Sequence, residues 1–138
     1  MTTAVDFAVP AEVAFDFLID PRNRPLWQSS LRRVERIHPE EPVVGQTWTD
    51  VTGPGFRPAM VTTAIDRPSS WTERGTWRAV SAELTLIFEP TGTGCRVSAE
   101  TLVRGPLVGR VLTALAPYAV RGDLARAARI LSERASGK

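Results

Sequence analysis

Polar and apolar residues alternate along most of this chain, and the few places where the period changes mark the helices. Thr2 to Ala8 alternates strictly, with Val5, Phe7 and Val9 on one side and Ala4, Asp6 and Ala8 on the other. That two-residue period predicts a strand with one buried face. At Pro10 the period lengthens, and Val13, Phe17 and Leu18, with Ala14 beside them, form a helical stripe. Proline suits the first helical turn, and Glu12 favours the positive end of the helix. Asp20-Pro21 ends it, because the residue before a proline is pushed out of the helical region. Arg22 to Ser30 predicts a second short helix or turn, interrupted at Pro25 and carrying Trp27.

Six further strands follow. Leu31 to Ile37 places Leu31, Arg33, Glu35 and Ile37 on one face and Arg32, Val34 and Arg36 on the other, a thin apolar signal that fits an edge or an exposed strand. A turn-rich connection, His38 to Gly45, leads to Gln46 to Thr52, then a Gly53-Pro54-Gly55 turn. Ala59 to Ile65 and Trp71 to Arg78 flank the Asp66-Arg67-Pro68-Ser69-Ser70 turn. Val80 to Glu89 is the clearest strand: Val80, Ala82, Leu84, Leu86 and Phe88 face one way, Ser81, Glu83, Thr85 and Glu89 the other. Pro90 to Gly94 reads as a hairpin loop. Cys95, Val97, Ala99, Thr101 and Val103 then line the inner face of the partner strand.

After Gly105 the period becomes helical again. Pro106 marks the start, and Leu107, Val111, Leu115 and Tyr118 recur at helical spacing before Leu124, Ala128 and Leu131 carry the apolar face onward. Pro117 predicts a kink or a split in this helix, since an interior proline costs about 3 kcal/mol. Strands joined by short turns imply an antiparallel sheet, and the helices must cover one of its faces. The expectation is a single α+β domain over residues 1–138: a curved seven-stranded sheet around a long C-terminal helix, with two short helices after the first strand and a mostly apolar pocket between sheet and helix.

Composition narrows the partners. The 138 residues are 43% apolar and 23% charged with a net charge of +2, ordinary values for a globular chain. Arginines are scattered, without a dense basic run interleaved with aromatics, so nucleic acid is not expected as a partner. No window approaches the roughly 20 apolar residues of a membrane span, so stable membrane insertion is not expected either. With one cysteine, Cys95, and no basic and apolar leader at Met1 to Phe7, the expected location is the cytoplasm, as a monomer or homodimer.

The chain resembles the START-like helix-grip superfamily, in its polyketide cyclase/dehydrase and lipid-transport branch. The resemblance rests on the opening strand running into Val9-Pro10-Ala11-Glu12-Val13-Ala14-Phe15, on Asp20-Pro21 and Trp27, and on Val44-Gly45-Gln46-Thr47. Leu84-Thr85-Leu86-Ile87-Phe88-Glu89-Pro90, Gly94-Cys95-Arg96-Val97 and the terminal helix complete it. It implies the helix-grip (START/Bet v 1-like) fold over nearly the whole chain. It implies less about function, because similar members include cyclases, ligand carriers and ligand receptors, with no universal catalytic motif.

Chemistry read from the residues excludes more than it assigns. His38 is the only histidine and Cys95 the only thiol, so neither a usual metal site nor a triad base is available, and no cofactor is expected. Two carboxylates are candidates for general acid/base work, Glu73 and Asp50. If Trp71, Glu73, Gly75 and Trp77 face inward, Glu73 points into an apolar cavity, where desolvation raises its pKa; in the other arrangement it sits near the rim and salt-bridged. Candidate ligand-lining positions are Trp27, Trp48, Met60, Trp71 and Trp77, then Leu84, Leu86, Phe88, Val97, Ala99 and Thr101 on the two long strands. Leu107, Val111, Leu115 and Tyr118 on the helix complete the set. With no complete catalytic set, binding or carriage of a hydrophobic small molecule (a lipid, a polyketide-like compound or an isoprenoid) is favoured. The alternative is a cofactor-independent cyclase or dehydratase using a buried carboxylate.

Overall fold

A computed structural model describes residues 2–137, with the side chains of 107–118 outside the description. The strands β1 (Thr2–Phe7), β2 (Leu31–His38), β3 (Thr47–Thr52), β4 (Ala59–Asp66), β5 (Ser70–Trp77), β6 (Val80–Thr91) and β7 (Gly94–Arg104) form one antiparallel sheet. Its order is β1-β7-β6-β5-β4-β3-β2, so β2 through β7 is a meander and β1 closes onto the last strand. Helices α1 (Ala11–Ile19) and α2 (Arg24–Trp27) lie between β1 and β2, joined by one 3-10 turn at Pro21–Asn23, and α3 (Leu107–Ala135) follows β7. This is the helix-grip arrangement that the change from two-residue to helical period predicts.

The alternation of β6 and β7 becomes a shared inner face. Register places Leu84 opposite Thr101, Leu86 opposite Ala99, Phe88 opposite Val97 and Pro90 opposite Cys95. Leu86, Phe88, Cys95, Val97 and Ala99 are all buried, and they join Phe7 and Val9 from the β1 end in the core. Along α3, Leu124, Ala127 and Leu131 recur every three or four residues and are buried against this layer. Ser29 ties α2 to α3, donating through its backbone N and its hydroxyl to the Asp123 carboxylate at 3.2 and 3.0 Å.

Four local expectations are corrected. In α1, Val13 is 45% exposed, whereas Ala11, Ala14, Phe15, Leu18 and Ile19 are buried. Those positions share one helical face, and Val13, two residues from Ala11, lies about 200° round from it. Phe15 takes the inward role, meeting Phe88 edge-on with ring centroids 5.1 Å apart. In β2, register shifts between Leu31 and Arg33 and between Glu35 and His38 break the simple two-face reading. Val34 and Ile37, of opposite parity, both pack on the core, because an extra residue in a bulge flips the alternation beyond it. The β6–β7 hairpin is tighter than expected, since Pro90 and Thr91 remain in the ladder opposite Cys95 and Gly94. Finally, α3 runs as one helix, Leu107–Ala135, so Pro117 does not split it; the alternative of a kink falls on residues outside the description.

The meander gives the sheet two distinct ends. The starts of β2, β4 and β6 meet the ends of β3, β5 and β7 at one of them, beside the start of α3. The other end carries α1, the β2–β3 and β4–β5 connections, and the β6–β7 turn.

Candidate functional site

Two neighbouring rows across the inner face of the sheet frame the buried acids. In one, Thr62 of β4, Glu73 of β5, Leu84 of β6 and Thr101 of β7 lie side by side. In the next, Trp48, Met60, Gly75, Ala82 and Val103 do the same. A Cβ on Gly75 would lie 2.7 Å from Sδ of Met60, so the missing side chain leaves room for the Met60 thioether, whose flexible end would otherwise have to shift. Asp50 stands two residues beyond Trp48 on the same face of β3, and the Trp48 indole N–H donates to its Oδ1 at 2.9 Å. Both acids are buried, Asp50 at 5% and Glu73 at 4% exposure.

Their counter-charge comes from α2. Arg24, 2% exposed, donates through Nη2 to Oε1 of Glu73 at 3.1 Å and to Oδ2 of Asp50 at 3.4 Å. A second contact, Nη1 to Oε2 of Glu73, is 2.9 Å long but poorly aligned, so it acts as an ion pair and leaves both atoms without a hydrogen bond. The guanidinium also lies 5.5 Å from the ring centroid of Trp48 and 5.9 Å from that of Trp27, a cation–π setting in which desolvation strengthens the attraction. Pro25, directly after Arg24, and Pro21 at the preceding turn hold this short helix in place.

One guanidinium facing two carboxylates leaves the cluster a proton short of neutrality when both acids are ionised. Burial pushes the Glu73 carboxyl up from its ordinary value to about 7; Arg24 pulls against the rise, and the Asp50 carboxylate adds to it. Burial alone would lower the Arg24 guanidinium, but Glu73 and Asp50 together hold it above its ordinary value, so Arg24 stays charged. Glu73 therefore exchanges its proton near neutrality inside an apolar shell, and it can donate a hydrogen bond or a proton, or accept one.

Of the residues singled out from the sequence, Asp50, Glu73, Trp48 and Met60 converge on this cluster, with Trp27 beside it. Trp71 is buried one row further along the inner face; its indole N–H donates to Oγ1 of Thr62 at 3.4 Å. Leu86, Phe88, Val97 and Ala99 lie in the core, while Leu84 and Thr101 are half-buried nearer the site. Trp77 stands apart at the end of β5, half-buried, with the Phe56 ring 4.5 Å away. The positions Leu107, Val111, Leu115 and Tyr118 lie outside the described residues. Arg24 is the member that sequence reasoning missed. The available signal was charge balance: two acids on one inner face call for a cation on whatever element covers them.

Among the described residues no group of three or more His, Cys, Asp or Glu side chains comes together in a way that could hold a metal ion. Surface clefts are also present among the described residues. One, about 330 Å³, lies among Arg36, Thr47, Thr49, Val61, Arg74 and Thr76 on the outer face of the sheet. A second, about 280 Å³, lies among Arg74, Ser81, Glu83, Leu102 and Arg104, and a third, about 260 Å³, among Phe15, Ile19, Pro42 and Ile65. Another, about 450 Å³, lies between α1 and the end of α3, among Val13, Phe17 and Leu131.

Comparison with known proteins places the chain. Protein MLL2253 from Mesorhizobium loti superposes with a TM-score of 0.80 at 15% identity, covering 96% of each chain. The di-domain ARO/CYC StfQ from the steffimycin biosynthetic pathway superposes with a TM-score of 0.79 at 15% identity, covering 99% of this chain and 51% of that one. A START superfamily protein from Mycobacterium smegmatis gives 0.69 at 14% identity over 92% of each. No curated protein matches the sequence. Residues 1–136 match the family described as polyketide cyclase / dehydrase and lipid transport, and with the helix-grip fold in hand the chain belongs to that family.

Proposed function

We propose that this protein binds a hydrophobic small molecule, of the lipid, polyketide-like or isoprenoid class, against the inner face of the sheet, and that the Arg24–Asp50–Glu73 cluster holds an oxygen of that ligand. The observation that carries this reading is a set of unmet polar atoms gathered in one place. Nε of Arg24 and Nε1 of Trp27 are buried without a hydrogen-bond partner among the described residues, and Nη1 of Arg24 and Oε2 of Glu73 meet only each other, as the 2.9 Å ion pair. Buried polar atoms are nearly always bonded, and a ligand carbonyl, hydroxyl or carboxyl oxygen supplies what is missing. An apolar wall with a few convergent polar groups is the usual composition of a small-molecule site, and the family supports a hydrophobic ligand in general. The test is titration of a fluorescent fatty acid and of an aromatic polyketone into wild-type protein and Arg24→Met. Saturable binding to wild type, weakened about tenfold or more in the variant, is expected. No saturable binding to wild type, or unchanged affinity in a folded variant, overturns the reading.

A second reading is favoured by one observation, the Glu73 carboxyl held near 7. That is the range in which a general acid or base works best, contributing about 10²–10⁴ in rate. On this reading the site turns over a poly-carbonyl substrate as a cyclase or dehydratase, a class to which the structural neighbour from the steffimycin pathway also points. Glu73→Gln then abolishes turnover of a poly-carbonyl surrogate while binding persists; turnover that survives the substitution removes Glu73 from the chemistry.

A further inference from the structure

Charge is divided unequally between the two ends of the sheet. Arg32 and Arg33 at the start of β2, Arg57 before β4, Arg78 after β5 and Arg104 at the end of β7 all gather at the end beside the start of α3, and all are exposed. Two carboxylates stand among them: Glu35, already shared between Arg33 at 3.0 Å and Arg57 at 2.7 Å, and Glu83, which lines a cleft with Arg74, Leu102 and Arg104, so the arginines of this end outnumber its acids. The opposite end carries Glu12, Asp16, Asp20, Glu40, Glu41 and Asp66; of its arginines, Arg22, Arg67 and Arg96 are each tied to an aspartate, and Arg134 lies over the Phe17 ring.

The basic end also carries exposed apolar surface. Phe56, in the turn between β3 and β4, is 47% exposed. Its ring sits 4.5 Å from that of Trp77 across the gap to the β5–β6 turn, and the Arg78 guanidinium lies 4.7 Å from the same indole. Leu102, on the outer face of β7 near its end, is 47% exposed as well. An aromatic pair at a projecting turn, ringed by arginines and set opposite an acidic pole, is the composition of a surface that meets negative headgroups with an apolar layer beneath them.

We infer that this end of the molecule docks on an anionic lipid bilayer, with Phe56 and Trp77 at headgroup depth and Arg57, Arg78 and Arg104 against the charged surface. A nucleic acid would also attract the arginines. Single-strand binding, however, uses successive free aromatic faces along a groove, and Trp77 is already covered by Phe56 and Arg78, with Phe56 the one well-exposed ring among the described residues. The inference concerns a different surface from the Arg24 cluster and holds whether or not that cluster binds a ligand.

Vesicle flotation tests it, using the full chain with vesicles of phosphatidylcholine alone or mixed with phosphatidylglycerol. Binding is expected only with the anionic lipid, and it weakens steeply as salt is raised from about 0.1 to about 0.5 M. Arg78→Gln and Arg104→Gln each weaken partitioning about fivefold. Phe56→Ser weakens it further, and Arg67→Gln at the acidic end leaves it unchanged. Bromine-labelled lipids quench the tryptophan emission of wild type and lose that effect in Trp77→Phe. No binding to anionic vesicles, equal binding to neutral ones, equal losses from Arg67→Gln and Arg78→Gln, or tight binding of single-stranded DNA without vesicle binding overturns the inference. Salt dependence and quenching are read on folded protein, so a variant that fails to fold does not remove the test.

Discussion

Glu73→Gln replaces a buried, titrating carboxyl with a neutral amide of nearly the same shape, and its effect on stability reverses with pH. In the folded protein the carboxyl is held at about 7, against 4.5 ordinarily, mainly by burial. Between those values the unfolded chain has already released the proton that the folded chain still holds. Stability therefore falls as pH rises from about 4.5 to about 7 and levels off above that. A displacement of this size corresponds to about 3 kcal/mol across the window. Asp16 and Glu35, held below their ordinary values chiefly by hydrogen bonds from Arg67 and Arg33, act in the opposite sense and only at lower pH. Urea unfolding of wild type and variant at several values from about pH 5 to about pH 8 isolates the effect as a difference of slopes. Wild type should lose about 3 kcal/mol over that range, and the variant should lose almost none, ending at least as stable as wild type on the alkaline side. Wild-type stability that is flat or rising through the window, or a slope that survives in the variant, refutes the reasoning.

Other substitutions separate the forces that hold the site. Arg24→Met leaves Asp50 and Glu73 without their cation and should cost about 3–5 kcal/mol near pH 8. The loss should shrink near pH 5, where Glu73 carries its proton; equal losses by chemical denaturation at the two pH values contradict the coupling. Leu86→Ala, at a fully buried position, should cost about 2–5 kcal/mol. Leu102→Ala, on the exposed face, should stay within about 0.5 kcal/mol. Gly94→Ala would drive a methyl into the Phe7 carbonyl and to 2.9 Å from the Val9 backbone N. Because both obstacles are backbone, it should lower the thermal midpoint by the equivalent of about 2 kcal/mol or more, whereas Gly92→Ala, with open space around it, should be close to neutral.

Much of the architecture is legible in the sequence because burial leaves a period. Strict alternation from Val80 to Glu89 matches a long inner strand, and Leu124 and Leu131 lie on a helical face, because each element has one side in water and one in the core. The acids were legible as candidates for the same reason: Trp71, Glu73 and Gly75 share a parity, as do Trp48 and Asp50. What periodicity cannot carry is an event that changes parity or a contact between distant segments. The register shift in β2 between Glu35 and His38 turns Val34 and Ile37 to the same side, and only pairing with β3 determines where it falls. Arg24 reads as an ordinary polar residue before a proline. Its partners lie 26 and 49 positions away, so the docking of α2 against the sheet brings them together. The chain's own pattern determined a sheet gripping a helix, with two acids on candidate inner faces. Tertiary structure alone decided that those acids share one buried arginine, because electrostatic coupling depends on distance through space and on exclusion of water, and neither is written in the local spacing of residues.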